Sequence, residues 1–71
     1  MKLYVVHYYN QDIEESEVAG GYVTFEAARA AILDIEEIPS FDRTWELHVH
    51  CGKTTFLAPE GHKYHITDVE I

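Results

Sequence analysis

Only one stretch of this chain carries a helical period, and the segments around it read as strands. Phe25, Ala28, Ala31, Ile32 and Ile35 recur every three or four residues, the core stripe of an amphipathic helix of about 13 residues. Thr24 is a good N-cap, and Glu26 sits in the first turn, where the helix dipole favours an acid. The alanines have high helix propensity and let the helix lie close to a neighbour. Pro39 ends the helix, because the residue before a proline avoids the α region. One helix has to bury its stripe against something, and the remaining segments offer only a sheet.

Leu3-Tyr4-Val5-Val6-His7-Tyr8-Tyr9 is rich in β-branched and aromatic residues and reads as a strand. It is apolar on both faces, which places it centrally. Asn10 to Glu17 is polar and reads as an exposed acidic loop holding Asp12, Glu14, Glu15 and Glu17. Gly20-Gly21 permits a turn, and Tyr22-Val23 adds a short strand back along the first. Trp45 to Cys51 alternates strictly: Trp45, Leu47, Val49 and Cys51 take one face, and Glu46, His48 and His50 the other. Gly52-Lys53 turns the chain into a short strand over 54–58. Pro59-Glu60-Gly61 is turn chemistry, and 64–71 is the last strand. The alternation slips at Thr67-Asp68, which predicts a bulge there.

The expected architecture is an α+β two-layer sandwich. Its order is β-α-β-β-β, with the short extra strand before the helix, and one helix packs on a mostly antiparallel sheet. A chain of 71 residues is expected to make a single domain over 1–71. Such a core has no room for an enclosed substrate cavity. No apolar run is long enough to span a bilayer. A strand-like segment begins at Lys2, so no secretory leader is expected. One cysteine excludes an internal disulfide, and a reducing cytoplasm is the expected home.

Thirteen Asp and Glu against five Lys and Arg give a net charge of -8. That argues against direct binding to nucleic acid, whose affinity comes mostly from Lys and Arg neutralising phosphates. It favours attraction to a basic protein surface, and acidity also serves solubility. Asp12, Glu14, Glu15 and Glu17 are the densest acidic cluster and the expected contact with such a partner. Leu33 falls on the polar side of the helical wheel with Glu26, Arg29 and Glu37. It is the other candidate contact. Tyr4, Tyr8 and Tyr64 share a sheet face, either as core or as interface.

The histidines are the remaining chemistry. His48 and His50 point the same way from one strand, and His62 and His65 form a second pair. Together they are an alternative metal-binding set, since histidine is the commonest metal ligand. The paired knuckles of a structural zinc site are absent, and no cofactor or bound metal is expected. Adjacent residues on a strand face apart, so His50 is badly placed to activate Cys51, which reads as buried and inert. Gly52-Lys53-Thr54 ends like a phosphate-binding loop, but Leu47 stands where that loop needs its first glycine.

In size, charge and expected architecture the whole chain resembles the small acidic single-domain proteins that phages and other mobile elements encode to inhibit host systems, anti-CRISPR proteins among them. The resemblance carries no motif and transfers no functional residue. The expected function is a non-enzymatic protein-binding module. It would be such an inhibitor, directed at a host nucleic-acid-binding system and acting as a homodimer or through one protein partner. The alternatives are a histidine-based metal-binding or metal-sensing module, and a small enzyme whose site forms only in an oligomer.

Overall fold

The computed structural model describes residues 1–10 and 13–71, the side chain of Asn10 excepted. The chain is an α+β fold with one helix and a five-stranded antiparallel sheet. Its elements are β1 (Lys2–Asn10), β2 (Glu15–Tyr22), α1 (Phe25–Glu36), β3 (Glu46–His50), β4 (Lys53–Leu57) and β5 (Lys63–Glu70). The sheet order is β2-β1-β5-β4-β3. β1, apolar on both faces, is central and pairs with both β2 and β5, while β2 and β3 are the edges.

β2 departs from the sequence reading. Glu15 and Glu17 were expected in a loop, with only a short strand at Tyr22-Val23. They lie instead in an eight-residue strand that pairs with β1 from Asn10↔Glu15 to Tyr4↔Tyr22. The segment has no strong strand propensity. Hydrogen bonding to a long central neighbour overrides local preference at a sheet edge. The bulge also lies elsewhere. β5 pairs with β1 without interruption from Tyr9↔Lys63 to Lys2↔Glu70. The register slips between β1 and β2 instead: Val6 faces Gly20 and His7 faces Val18, so Ala19 is the extra residue. At Asp68 the pleat continues while the core runs out. Its carboxylate pairs with Lys2, 3.3 Å away, near the end of the sheet.

Thr24 caps α1 as expected, its Oγ1 accepting the Ala27 N–H at 3.1 Å. The helix stops at Glu36, before Pro39 is reached. Glu37 takes the left-handed conformation (φ 57°) and its N–H donates to the Asp34 carbonyl. The Ile38 N–H reaches the Leu33 carbonyl at 3.1 Å. These two bonds are a Schellman closure, usually built on glycine. The buried face runs through Phe25, Ala28, Ile32 and Glu36, rotated from the expected stripe. Ile35 is consequently exposed. Leu33, expected on the exposed side, is half-buried, as is Ile38.

Val6, Ala28, Ile32, Phe56, Tyr64 and Ile66 form one buried cluster. Tyr4, Tyr8 and Tyr64 alternate onto the helix side and belong to the core or its margin, so they do not form an outer interface. The helix meets β1, β2 and β5. Over β4, cover comes from the connection after the helix. Phe41 lies tilted against Phe56 and meets Trp45 edge-to-face, with centroids 4.9 Å away in each case, and Arg29 lies over the Phe41 ring. Asp42 folds this connection. It accepts from the Thr44 N–H and hydroxyl, contacts that hold its carboxyl below the usual range.

Glu37 combines two unfavourable features: a side chain in a left-handed position and an acid at the negative end of a helix. Glu37→Gly should raise the unfolding free energy by about 1 kcal/mol, after allowing for the greater backbone freedom of glycine in the unfolded chain. Urea denaturation of the two proteins checks this.

Candidate functional site

The β3–β4 hairpin closes on two residues, Cys51 and Gly52, both with positive φ (47° and 77°). Positive φ at both central positions is the signature of a type I′ turn. In such a hairpin the flanking pair, His50↔Lys53, exchanges both backbone hydrogen bonds. Bonded pairs then recur every second residue, at His48↔Thr55 and Glu46↔Leu57. The N–H and C=O groups of Leu47 and Val49 therefore point out of the sheet, along an edge that no other strand among the described residues occupies. Cys51, expected to be buried, is exposed at the tip of this turn.

The side chains of Leu47 and Val49 lie on the helix side, 60% and 72% exposed. Neither the helix nor the Phe41–Trp45 connection extends over them. The other edge is different. β2 is bulged at Ala19, carries Glu15 and Glu17, and is preceded by Glu14, which has a left-handed φ of 53°. Bulges and charges are the usual means by which an edge strand is kept from pairing with other chains. β3 has neither a bulge nor a proline, and its helix side is apolar.

The face away from the helix joins an apolar strip, Leu3, Val5 and Val69, to a band rich in histidine. His7, His65, Thr55 and His48 form one row across β1, β5, β4 and β3, and Thr67, Lys53 and His50 form the next. His65 Nδ1 is 3.0 Å from Thr55 Oγ1, and His7 Nε2 is 3.2 Å from Thr67 Oγ1. Burial, then Lys53, Lys63 and His7, lower the pKa of His65 below its ordinary value. Lys63 lies over the Tyr9 ring, 5.5 Å from its centroid. By register, Glu46 is the one carboxylate on this face among the described strand residues. Net acidity therefore hides a segregation of charge, with Lys53 and Lys63 on one side and the helix acids on the other.

The four histidines of the metal alternative do not converge. His48 and His65 are two strands apart, at about 4.8 Å per strand. His62 is on the helix side, its ring edge-on to Tyr8. There it joins a group that the sequence reading missed. His62 Nδ1 is 3.2 Å from Glu36 Oε2 and 3.8 Å from Glu60 Oε2, and the Tyr64 hydroxyl donates to Glu36 Oε2 at 2.5 Å. Burial, then the Glu36 carboxylate, hold the Tyr64 hydroxyl well above the ordinary phenol range. Glu36, Glu60 and His62 are the one set of three donors among the described residues close enough to share a metal ion. A structural reason accounts for the same contacts. Glu36 ends a helix with no basic residue in its last turn, and Tyr64 and His62 supply the missing donors.

Of the expected contact residues, Glu14, Glu15 and Glu17 are exposed on β2 and the turn before it, while Asp12 lies outside the described residues. Leu33 is half-buried. No helix among the described residues is long and apolar enough to cross a membrane. The chain matches no protein-family model, no curated protein and no solved structure.

Two predictions test this geometry. The first concerns His65. Because its folded pKa lies below the ordinary 6.5, the unfolded chain binds the extra proton more readily, so stability must fall as pH drops through about 6.5. Replacing it in His65→Gln should flatten that slope between neutral pH and the carboxylate range, as read from denaturation midpoints. The second concerns β3. Val49→Pro removes only an outward N–H and should change stability by no more than about 0.5 kcal/mol, whereas His48→Pro breaks a ladder bond and should cost about 1–3 kcal/mol. Equal costs would mean that the outward and inward assignments are wrong.

Proposed function

We propose that this chain is a non-enzymatic protein-binding module that takes a strand of its partner along β3. The observation that carries this reading is the contrast between the two edges. β2 is bulged and charged, while β3 presents the outward backbone groups of Leu47 and Val49 beside their exposed apolar side chains. In strand addition the backbone bonds give affinity, and the alternate side chains give specificity. A five-residue strand is enough for a short peptide segment, and the grooves flanking Leu47 and Val49 offer it side-chain seats. One, of about 210 Å³, is lined by Phe41, Trp45, Leu47 and Phe56 among others. The second, of about 150 Å³, is lined by Phe25, Val49, Thr54 and Ile66 among others.

The acids act at longer range. Glu14, Glu15 and Glu17 on the far edge, with the helix carboxylates, would draw in a protein with a basic surface and raise its association rate without adding much to final affinity. In this reading the protein works in the cytoplasm by occupying a surface. That is how an inhibitor from a phage or mobile element would disable a host nucleic-acid-binding system, and no catalytic step is required. Metal binding is the second reading. It is favoured by the Glu36, Glu60 and His62 donors, a different set from the histidine cluster of the sequence.

Selection of extended peptides from a displayed library against the immobilised protein tests strand addition. Selected peptides should shift the Leu47 and Val49 amide resonances on binding and lose at least about tenfold in affinity for Val49→Pro, as expected when a backbone bond and its register are lost together. Peptides that bind only at the β2 edge or the helix would refute this reading. Zinc titration followed through the His62 ring resonances tests the second.

A further inference from the structure

We infer that the strand received by β3 is β3 of a second copy of this chain, antiparallel, in the register that sets His48 opposite the partner's His48. This deepens the strand-addition reading and rests on it.

The register follows from the backbone. Only Leu47 and Val49 direct their N–H and C=O groups outward, so they must pair with the same two residues of a second copy. Setting Leu47 opposite the partner's Val49, and Val49 opposite the partner's Leu47, uses all of these groups in four hydrogen bonds related by a two-fold axis. Pairing Leu47 with itself, or Val49 with itself, forms only half as many bonds between these residues. The four-bond register makes His48 the non-hydrogen-bonded pair on the axis.

The side chains agree with this register. The sequence Glu46-Leu47-His48-Val49-His50 is self-complementary when read against itself in reverse. On the helix side, each Leu47 meets a Val49. On the open side, each Glu46 meets a His50, an acid opposite a base. Cross-strand pairs of both kinds stabilise a sheet. A two-residue shift that sets Val49 opposite itself loses the acid–base pairs. The opposite shift, with Leu47 opposite itself, keeps Glu46 facing a histidine, His48, but forms half as many backbone bonds. The overall charge of -8 opposes self-association weakly at this seam. The dense acids Glu15 and Glu17 lie on β2, four strand spacings away, roughly 19 Å and beyond the Debye length at physiological salt. A seam of five residues per copy buries little surface, so the dimer is expected to be weak and dependent on concentration.

Sedimentation equilibrium across the micromolar to millimolar range, combined with amide exchange, tests this. Wild type should pass from monomer to dimer, with the Leu47 and Val49 amides gaining protection as it does. Val49→Pro should stay monomeric, with its thermal unfolding showing that it remains folded. His50→Glu sets Glu46 against a like charge in both symmetric pairs and should weaken the dimer about tenfold. Adding Glu46→Lys to it should restore or exceed wild-type association, a rescue that a general effect of charge would not give. A strict monomer at millimolar concentration, or a dimer indifferent to Val49→Pro and His50→Glu, overturns the inference. If the monomer still binds selected peptides along Leu47 and Val49, self-pairing falls and strand addition stands. If it binds none there, both fall.

Discussion

The structure depends on a mismatch of widths. A helix with its side chains is about 10 Å across, and five strands span roughly 19 Å. One 12-residue helix cannot cover such a sheet. It settles over β1, β2 and β5, where Val6, Tyr64 and Ile66 give it the deepest cover. The remaining side falls to whatever else the chain can supply. Phe41 and Trp45 close over Phe56, and the described residues leave Leu47 and Val49 largely exposed. The bare apolar strip on β3 follows from having one helix for five strands.

Much of this was legible in the sequence. The helix, its Thr24 cap and the central β1 follow from period and composition, because those residues interact with their near neighbours or with a whole layer. β2 was not legible. Glu15 to Gly21 has little apolar pattern, and the segment is a strand because β1 offers it a ladder. The bulge was assigned to Thr67-Asp68 because a polar residue on the core side resembles a slip of the backbone. The pleat there is continuous, and only the core stops.

The candidate sites divided in the same way. Histidines at alternate positions of a strand do share a face, as with His48 and His50. His62 and His65 are three residues apart, so the alternation of β5 puts His62 with Tyr64 on the other side, where tertiary packing joins it to Glu36 and Glu60. Glu36 was invisible as a core-facing group because a carboxylate at a helix end ordinarily reads as solvent-exposed. The Tyr64 hydroxyl that holds it comes from 28 residues further along the chain. The edge at Leu47 and Val49 was hidden by its own regularity. Strict alternation states that one face is apolar and does not say whether anything covers it.

The extra residue at Ala19 has a consequence for growth. A sheet with two receptive edges adds copies without end, each addition exposing another edge, and the product is a fibre. Here one edge is regular and open, and the other is bulged and lined with carboxylates. Whatever strand β3 accepts, β2 does not pass the pairing on. If β3 takes a strand as proposed, the extra residue at Ala19 and the carboxylates beside it would keep the assembly finite.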